Sequence, residues 1–254
     1  MKVSKKGKLY FFSIHVYPLM KKLEICFSPE LIHLHDLSQK NIVVVDIFRA
    51  TSTMVTALAN GVKSITPVAD LETCREMSKE GFVIAGERNG FLADGFELGN
   101  SPLAYLHGKY AGKKIAMTTT NGTLAIEKSK LGSNEILIGA FLNLDTTAKY
   151  LAAQDQDILI HCAGWKGKFN LEDSLYAGAL VSFLADQFEW ECDGAIAMKN
   201  LYEQNAGQLK SFLNQAAHAK RLQNQNIEAD IDFCLAMNQY EIVGKLVGQE
   251  LLAF

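Results

Sequence analysis

Short apolar runs alternate along the chain with segments of helical spacing. Residues 23–27, 42–46, 64–68, 82–85, 114–118, 135–138 and 157–162 read as strands. Between them, residues 53–60, 71–79, 123–130 and 146–153 repeat apolar positions at helical intervals. Some of these segments end in glycine, which suits the left-handed residue that closes a helix. The rhythm predicts an α/β fold with a mainly parallel or mixed central sheet. Val43-Val44-Val45 and Ile158-Leu159-Ile160 are apolar without alternation, so helices should cover both faces in a three-layer α/β/α arrangement. Beyond residue 171 the pattern is mainly helical to 222 and again over 230–237, and these helices are expected to wrap the same sheet.

A chain of 254 residues fits one large α/β domain, or two intimately packed lobes, over residues 20–254. With 48% hydrophobic and 21% charged residues and only four prolines, it has the composition of a globular chain rather than a disordered one. A net charge of −3 supplies no field that would hold a polyanion, so nucleic acid is excluded as a partner and any anion site must be local. Cys26, Cys74, Cys162, Cys192 and Cys234 are scattered and form no CxxC pair, which points to reduced thiols and a cytoplasmic protein.

Residues 1–19 begin with four lysines before an apolar stretch, like the start of a signal peptide. That stretch contains His15 and Pro18, lacks a small-residue cleavage site and is too short to span a bilayer, so no membrane association is expected. Residues 1–19 are expected to be a non-native or flexible extension, with Met20 the true start. The apolar segment 175–188 can face either the sheet or a twofold partner, which leaves a homodimer open.

Four strand-end loops carry the candidate chemistry. In open α/β sheets, such loops and the helix N-termini after them form the usual ligand crevice, because free N–H groups and helix dipoles face outward there. After residue 45 come Asp46 and Arg49, a carboxylate for a hard cation and a guanidinium for phosphoryl oxygens, followed by Thr51-Ser52-Thr53. A helix cap with a structural ion pair is the alternative. Glu87 and Arg88 sit in the glycine-bounded turn Gly86-Glu87-Arg88-Asn89-Gly90, which also reads as a solvated pair in a plain turn. The following segment, 95–102, reads as an ordered loop shaping the pocket.

Thr119, Thr120, Asn121 and Gly122 could form a neutral phosphate cradle, or merely cap the next helix. Neither GxxxxGK[ST] nor GxGxxG is present, so no nucleotide motif applies. Finally, Lys166 and Lys168 precede Glu172 and Asp173. The lysines could neutralise substrate charge, and the acids could bind metal or stabilise a helix start. The histidines show no HxxxH or HExxH spacing, and Ser174 and Cys162 lack a nucleophile elbow or a visible base, so water is the simpler nucleophile.

Taken in order, DIFRATST, ANGV, GERNGF, GFELGNSP, TTTNGT, IGAFLN, CAGWKGKFNLEDSLYAGAL and DIDFCL resemble the 2-phosphosulfolactate phosphatase family over residues 42–235. The resemblance implies a Mg²⁺-dependent phosphatase of α/β type that releases phosphate from 2-phospho-3-sulfolactate on the route to coenzyme M. The chain departs from the family pattern at Trp165, where a smaller residue is expected, and at Lys166, where glycine is expected.

On this reading Asp46, Glu87 and Asp173 surround one Mg²⁺, and Arg49 and Arg88 clamp phosphate and carboxylate. Thr119, Thr120, Asn121 and Gly122 stabilise the equatorial oxygens, Lys166 or Lys168 meets a second anion, and Glu172 is the candidate acid or base. An aspartyl-phosphate route through Asp46 is the second mechanism. A non-catalytic module binding a phosphorylated or sulfonated metabolite is the rival function.

Overall fold

The computed structural model describes residues 20–185, 187–189, 192–216 and 227–254. The expected extension at 1–19 and the helical reading of residues 217–222 lie outside the described residues. The strands are β1 (Lys21–Cys26), β2 (Asn41–Val45), β3 (Ser64–Pro67), β4 (Val83–Arg88), β5 (Phe91–Leu92), β6 (Lys114–Thr118), β7 (Glu135–Gly139), β8 (Ile158–Cys162), β9 (Phe188–Glu189), β10 (Gly244–Val247) and β11 (Glu250–Ala253). The helices are α1 (Ala50–Ala59), α2 (Leu71–Ser78), α3 (Gly122–Ser129), α4 (Leu144–Ala152), α5 (Leu171–Leu184), α6 (Asp193–Asn205), α7 (Leu209–Leu213) and α8 (Glu228–Cys234).

All seven sequence-predicted strands form, with ends shifted by a few residues at most. The strands join one mixed sheet in the order β5-β4-β6-β3-β11-β10-β7-β2-β8-β1-β9. Two sets are internally parallel, β4-β6-β3 and β7-β2-β8-β1-β9. The antiparallel hairpin of β10 and β11 joins them, pairing with β7 on one side and β3 on the other. Three antiparallel steps separate the sets, so their strands run in opposite senses.

Helix crossings bring the two sets together. Helix α1 leaves β2 and leads to β3, whereas α3 leaves β6 and packs back over β2 and β8. Their N-termini abut: a Cβ added at Gly122 would lie 2.6 Å from Ala50 Cβ and 2.9 Å from Asp46 Oδ2. Only glycine permits that approach.

Every residue of β2 and β8 is buried. Val43 and Val45 pack with Leu144, Leu151, Leu175 and Leu180 of α4 and α5, while Ile42 and Val44 pack with Met54, Leu58, Ala125 and Ile126 of α1 and α3. Successive side chains of one strand therefore feed two cores, as the unbroken apolar runs require. Each such burial contributes about 1.5–3 kcal/mol before chain entropy is counted. All five cysteines are free thiols. No helix among the described residues is long and apolar enough to cross a membrane.

Candidate active site

Asp46, Phe48, Arg49, Glu87, Gly90, Asn100, Asn121 and Trp165 line one narrow cleft. Both strand sets contribute. Asp46 follows β2, and its Oδ1 accepts the Ala50 N–H at 3.3 Å, so the first turn of α1 orients it. Glu87 is 5% exposed and ties two loops together: Oε1 accepts Thr120 N–H at 2.6 Å and Oε2 accepts Gly90 N–H at 2.7 Å. Asn121 Oδ1 accepts Lys166 N–H at 3.1 Å, joining the loop after β6 to the loop after β8.

Arg49 precedes α1 and forms a buried ion pair with Asp230 of α8, while its second guanidinium nitrogen donates to Gly90 O at 3.3 Å. Ser101 Oγ donates to the other oxygen of Asp230 at 2.6 Å. A wider outer pocket continues from the cleft past Arg49, Gly90 and Asn100 to Phe91, Leu92, Ile227 and Asp230. Asn100, Trp165 and Asp230 thus join the site without having been assigned a role from sequence. The signals were present in GNSP, in the departure at 165 and in DIDFCL, but none states a partner.

Other sequence candidates lie behind or beside the cleft lining. Asp173 is fully buried: Oδ1 accepts Ile47 N–H at 2.8 Å, and Oδ2 accepts Gly164 N–H at 3.1 Å and Asn170 Nδ2–H at 2.9 Å. Burial, with added repulsion from Asp46 and Glu172, pushes its carboxyl well above the usual range. Glu172 is fully buried too and accepts from Asn170 Nδ2 at 3.0 Å. Both acids belong to the first turn of α5, and Asp173 fastens the loop after β2 to that helix.

Arg88 ends β4 outside the cleft lining, donating to Glu87 O at 2.7 Å and Thr118 Oγ1 at 3.1 Å. Thr119 lies two residues before the N-cap of α3, and its hydroxyl accepts Thr123 N–H from the first turn at 3.1 Å. Thr120 offers its N–H to Glu87 and its hydroxyl to Asn89 N–H at 3.4 Å. The Lys166 ammonium lies 5.5 Å from the Trp165 ring centroid, and Lys166 and Lys168 are exposed outside the cleft lining. Ser174 Oγ is spent on Asn170 O at 2.7 Å, and burial raises the Cys162 thiol well above its usual range.

The cleft is acidic, with Asp46 and Glu87 facing one guanidinium that Asp230 already pairs. A phosphate dianion would be repelled there without a cation. Among the described residues no three His, Cys, Asp or Glu side chains form a ready metal cage. Mg²⁺ does not require one, since it usually takes one or two carboxylates and fills its shell with water and substrate oxygens. Asp46 and Glu87 line the cleft, and each of their oxygens keeps a lone pair beyond its N–H contact, whereas Asp173 is fully buried behind the lining.

Comparison with known proteins agrees in one direction. A family model described as 2-phosphosulpholactate phosphatase matches residues 26–249. A Thermotoga maritima protein is 45% identical over 206 residues, 81% of this chain and 88% of its own. One from Caldanaerobacter subterraneus subsp. tengcongensis is 40% identical over 216 residues, covering 83% and 89%. A third, from Pseudothermotoga lettingae, is 39% identical over 232 residues, covering 91% and 98%. Each of these relatives carries the description "Probable 2-phosphosulfolactate phosphatase".

Proposed function

Since the chain belongs to the 2-phosphosulfolactate phosphatase family and is a phosphoric monoester hydrolase, we propose that the cleft between α1 and α3 hydrolyses a small anionic phosphate ester with Mg²⁺. The substrate named for its relatives, 2-phospho-3-sulfolactate, is the first candidate, with 3-sulfolactate and phosphate as products. The observation that carries this reading is the meeting of two cleft carboxylates and one guanidinium at the abutting N-termini of two helices. Helix N-termini favour negative charge, and oxygen ligands favour a hard cation.

Each residue then has a physical task. Arg49 presents a guanidinium to the phosphoryl group, with Asp230 holding its plane and Ser101 holding Asp230. Asp46 and Glu87 would hold Mg²⁺, which when bound supplies the positive charge that offsets the ester's own. Glu87 also fixes the two loops that shape the cleft, and Gly122 keeps α3 close enough to Asp46 for its first N–H groups to face the ester. Asp173 keeps Ile47 and Gly164 in register from behind.

Phosphate release from a panel of phosphorylated hydroxy acids, 2-phosphosulfolactate included, tests the proposal with Mg²⁺ and again with EDTA. Release that needs the metal and ranks the esters is the expected result. Tight binding with no phosphate from any ester would replace the reading by a non-catalytic binding module.

A further inference from the structure

Asn100 stands where the inner cleft opens into the outer pocket, in the segment before Pro102, and lines both. It is 9% exposed, and its side-chain oxygen has no hydrogen-bond partner among the described residues. Buried side-chain oxygens are nearly always satisfied, and each exception calls for a ligand, a water or a function. The other oxygens of the lining cannot satisfy it, because the carboxylates of Asp46 and Glu87 only accept when ionised. Arg49 is turned to Asp230 and Gly90.

The missing group must therefore be a donor, and a fully ionised ester of phosphate, carboxylate or sulfonate type brings none. Hydrolysis requires one molecule that does, namely water. We propose, building on the phosphatase reading above, that the Asn100 side-chain carbonyl orients the attacking water. The water donates one proton to Asn100 Oδ1 and the other toward a carboxylate of the same cleft, which leaves a lone pair free for phosphorus. As the new P–O bond forms, the bond from phosphorus to the ester oxygen breaks. The water's proton passes to the carboxylate, and the departing alkoxide is protonated in turn, giving alcohol and phosphate.

Asn100→Leu keeps the shape and removes the acceptor. Its kcat should fall roughly 10²-fold, the scale on which one positioned polar group acts in a transition state, with KM within about threefold of wild type. Its melting temperature should be equal to or above wild type, because an unsatisfied oxygen has been replaced by an apolar group. Asn100→Asp, which keeps an acceptor oxygen in place, should recover at least about tenfold of the loss. The proposal is overturned if the Leu variant keeps wild-type kcat, if it melts lower and loses kcat and KM together as a structural residue would, or if Asp recovers nothing. A wild type that releases no phosphate overturns the phosphatase reading itself, which separates the two failures.

Discussion

Asp46 and Glu87 on one side, Glu172 and Asp173 on the other, are two pairs of carboxylates with the same chemistry and different surroundings. The first pair lines the cleft, at the end of β2 and within β4. The second is wholly buried in the first turn of α5, with Asp173 turned to the N–H groups of Ile47 and Gly164 and to Asn170. What a carboxylate does is decided by what its oxygens meet, and the two pairs should fail in opposite ways when altered.

The largest effect should come from Asp46→Asn. The substitution is nearly isosteric but removes a charge from the cleft, so turnover with Mg²⁺ should drop by about 10³-fold or more, equivalent to about 4 kcal/mol in the transition state. Stability should not fall, because Asp46 repels the buried Asp173 and Asn relieves that repulsion. Full activity in this variant would remove Asp46 from the reaction, and a large loss of melting temperature would move it into the supporting pair.

Asp173→Ala should behave in the reverse order. It strands two buried N–H groups, at about 1–3 kcal/mol each, while the Asn170 amide keeps Glu172 as its acceptor, so a loss of about 2–6 kcal/mol is expected in urea unfolding. Activity should fall because the loops after β2 and β8 loosen, and small osmolytes that favour the folded state should restore part of it. A variant that unfolds like wild type yet is inactive would place Asp173 among the groups that act on the ester.

His161 shows what burial does away from the cleft lining, since it lies within β8. Its Nδ1 is 2.8 Å from Ser129 Oγ, and burial, with repulsion from His35 and Lys128, brings its imidazolium down to about 3. The unfolded chain takes up this proton near pH 6.5 and the folded chain only near pH 3, so the contribution is complete above pH 6.5 and is lost as pH falls through that window. The slope is about 1.4 kcal/mol per pH unit. His161→Asn should flatten it in urea unfolding between pH 4 and 6.5, and an unchanged slope would assign the acid sensitivity to other groups.

These contrasts explain how far the sequence could be read. Continuous apolar runs announced β2 and β8 because burial on both faces leaves no polar alternation. The β10–β11 hairpin went unread: Gly248 with φ +62° makes a two-residue turn, but the flanking residues are half-buried and only weakly patterned. The opposite senses of the two strand sets followed from that hairpin and were hidden with it. Asp46, Arg49, Glu87 and Asn121 stood out because each follows an apolar run in a polar stretch, although Glu87, read as a turn residue, is part of β4. Asp230 did not, since its partner Arg49 lies 181 residues away and no local pattern encodes such a meeting. Asn100 belonged to a segment read as a loop shaping the pocket, and only the fold shows that its oxygen is buried. Glu172 and Asp173 are adjacent acids at a helix start, and which way each points depends on packing.

Lys166 provides the smallest and finest test, because it separates the loop's conformation from its charge. Glycine was the expectation at this position, and the residue has φ +49°, in the left-handed region where a side chain costs about 1–2 kcal/mol and glycine does not. Lys166→Gly removes that strain but also loosens the unfolded chain by about 0.4–1 kcal/mol, so the net change should stay within about 1 kcal/mol and lean toward stability. The ammonium lies against Trp165 rather than in the cleft lining, so KM and kcat should change by less than about twofold. A tenfold rise in KM confined to esters with a second anionic group would instead show that the loop swings its charge onto the substrate. The Trp165 face of the cleft would then be where the second anion is read.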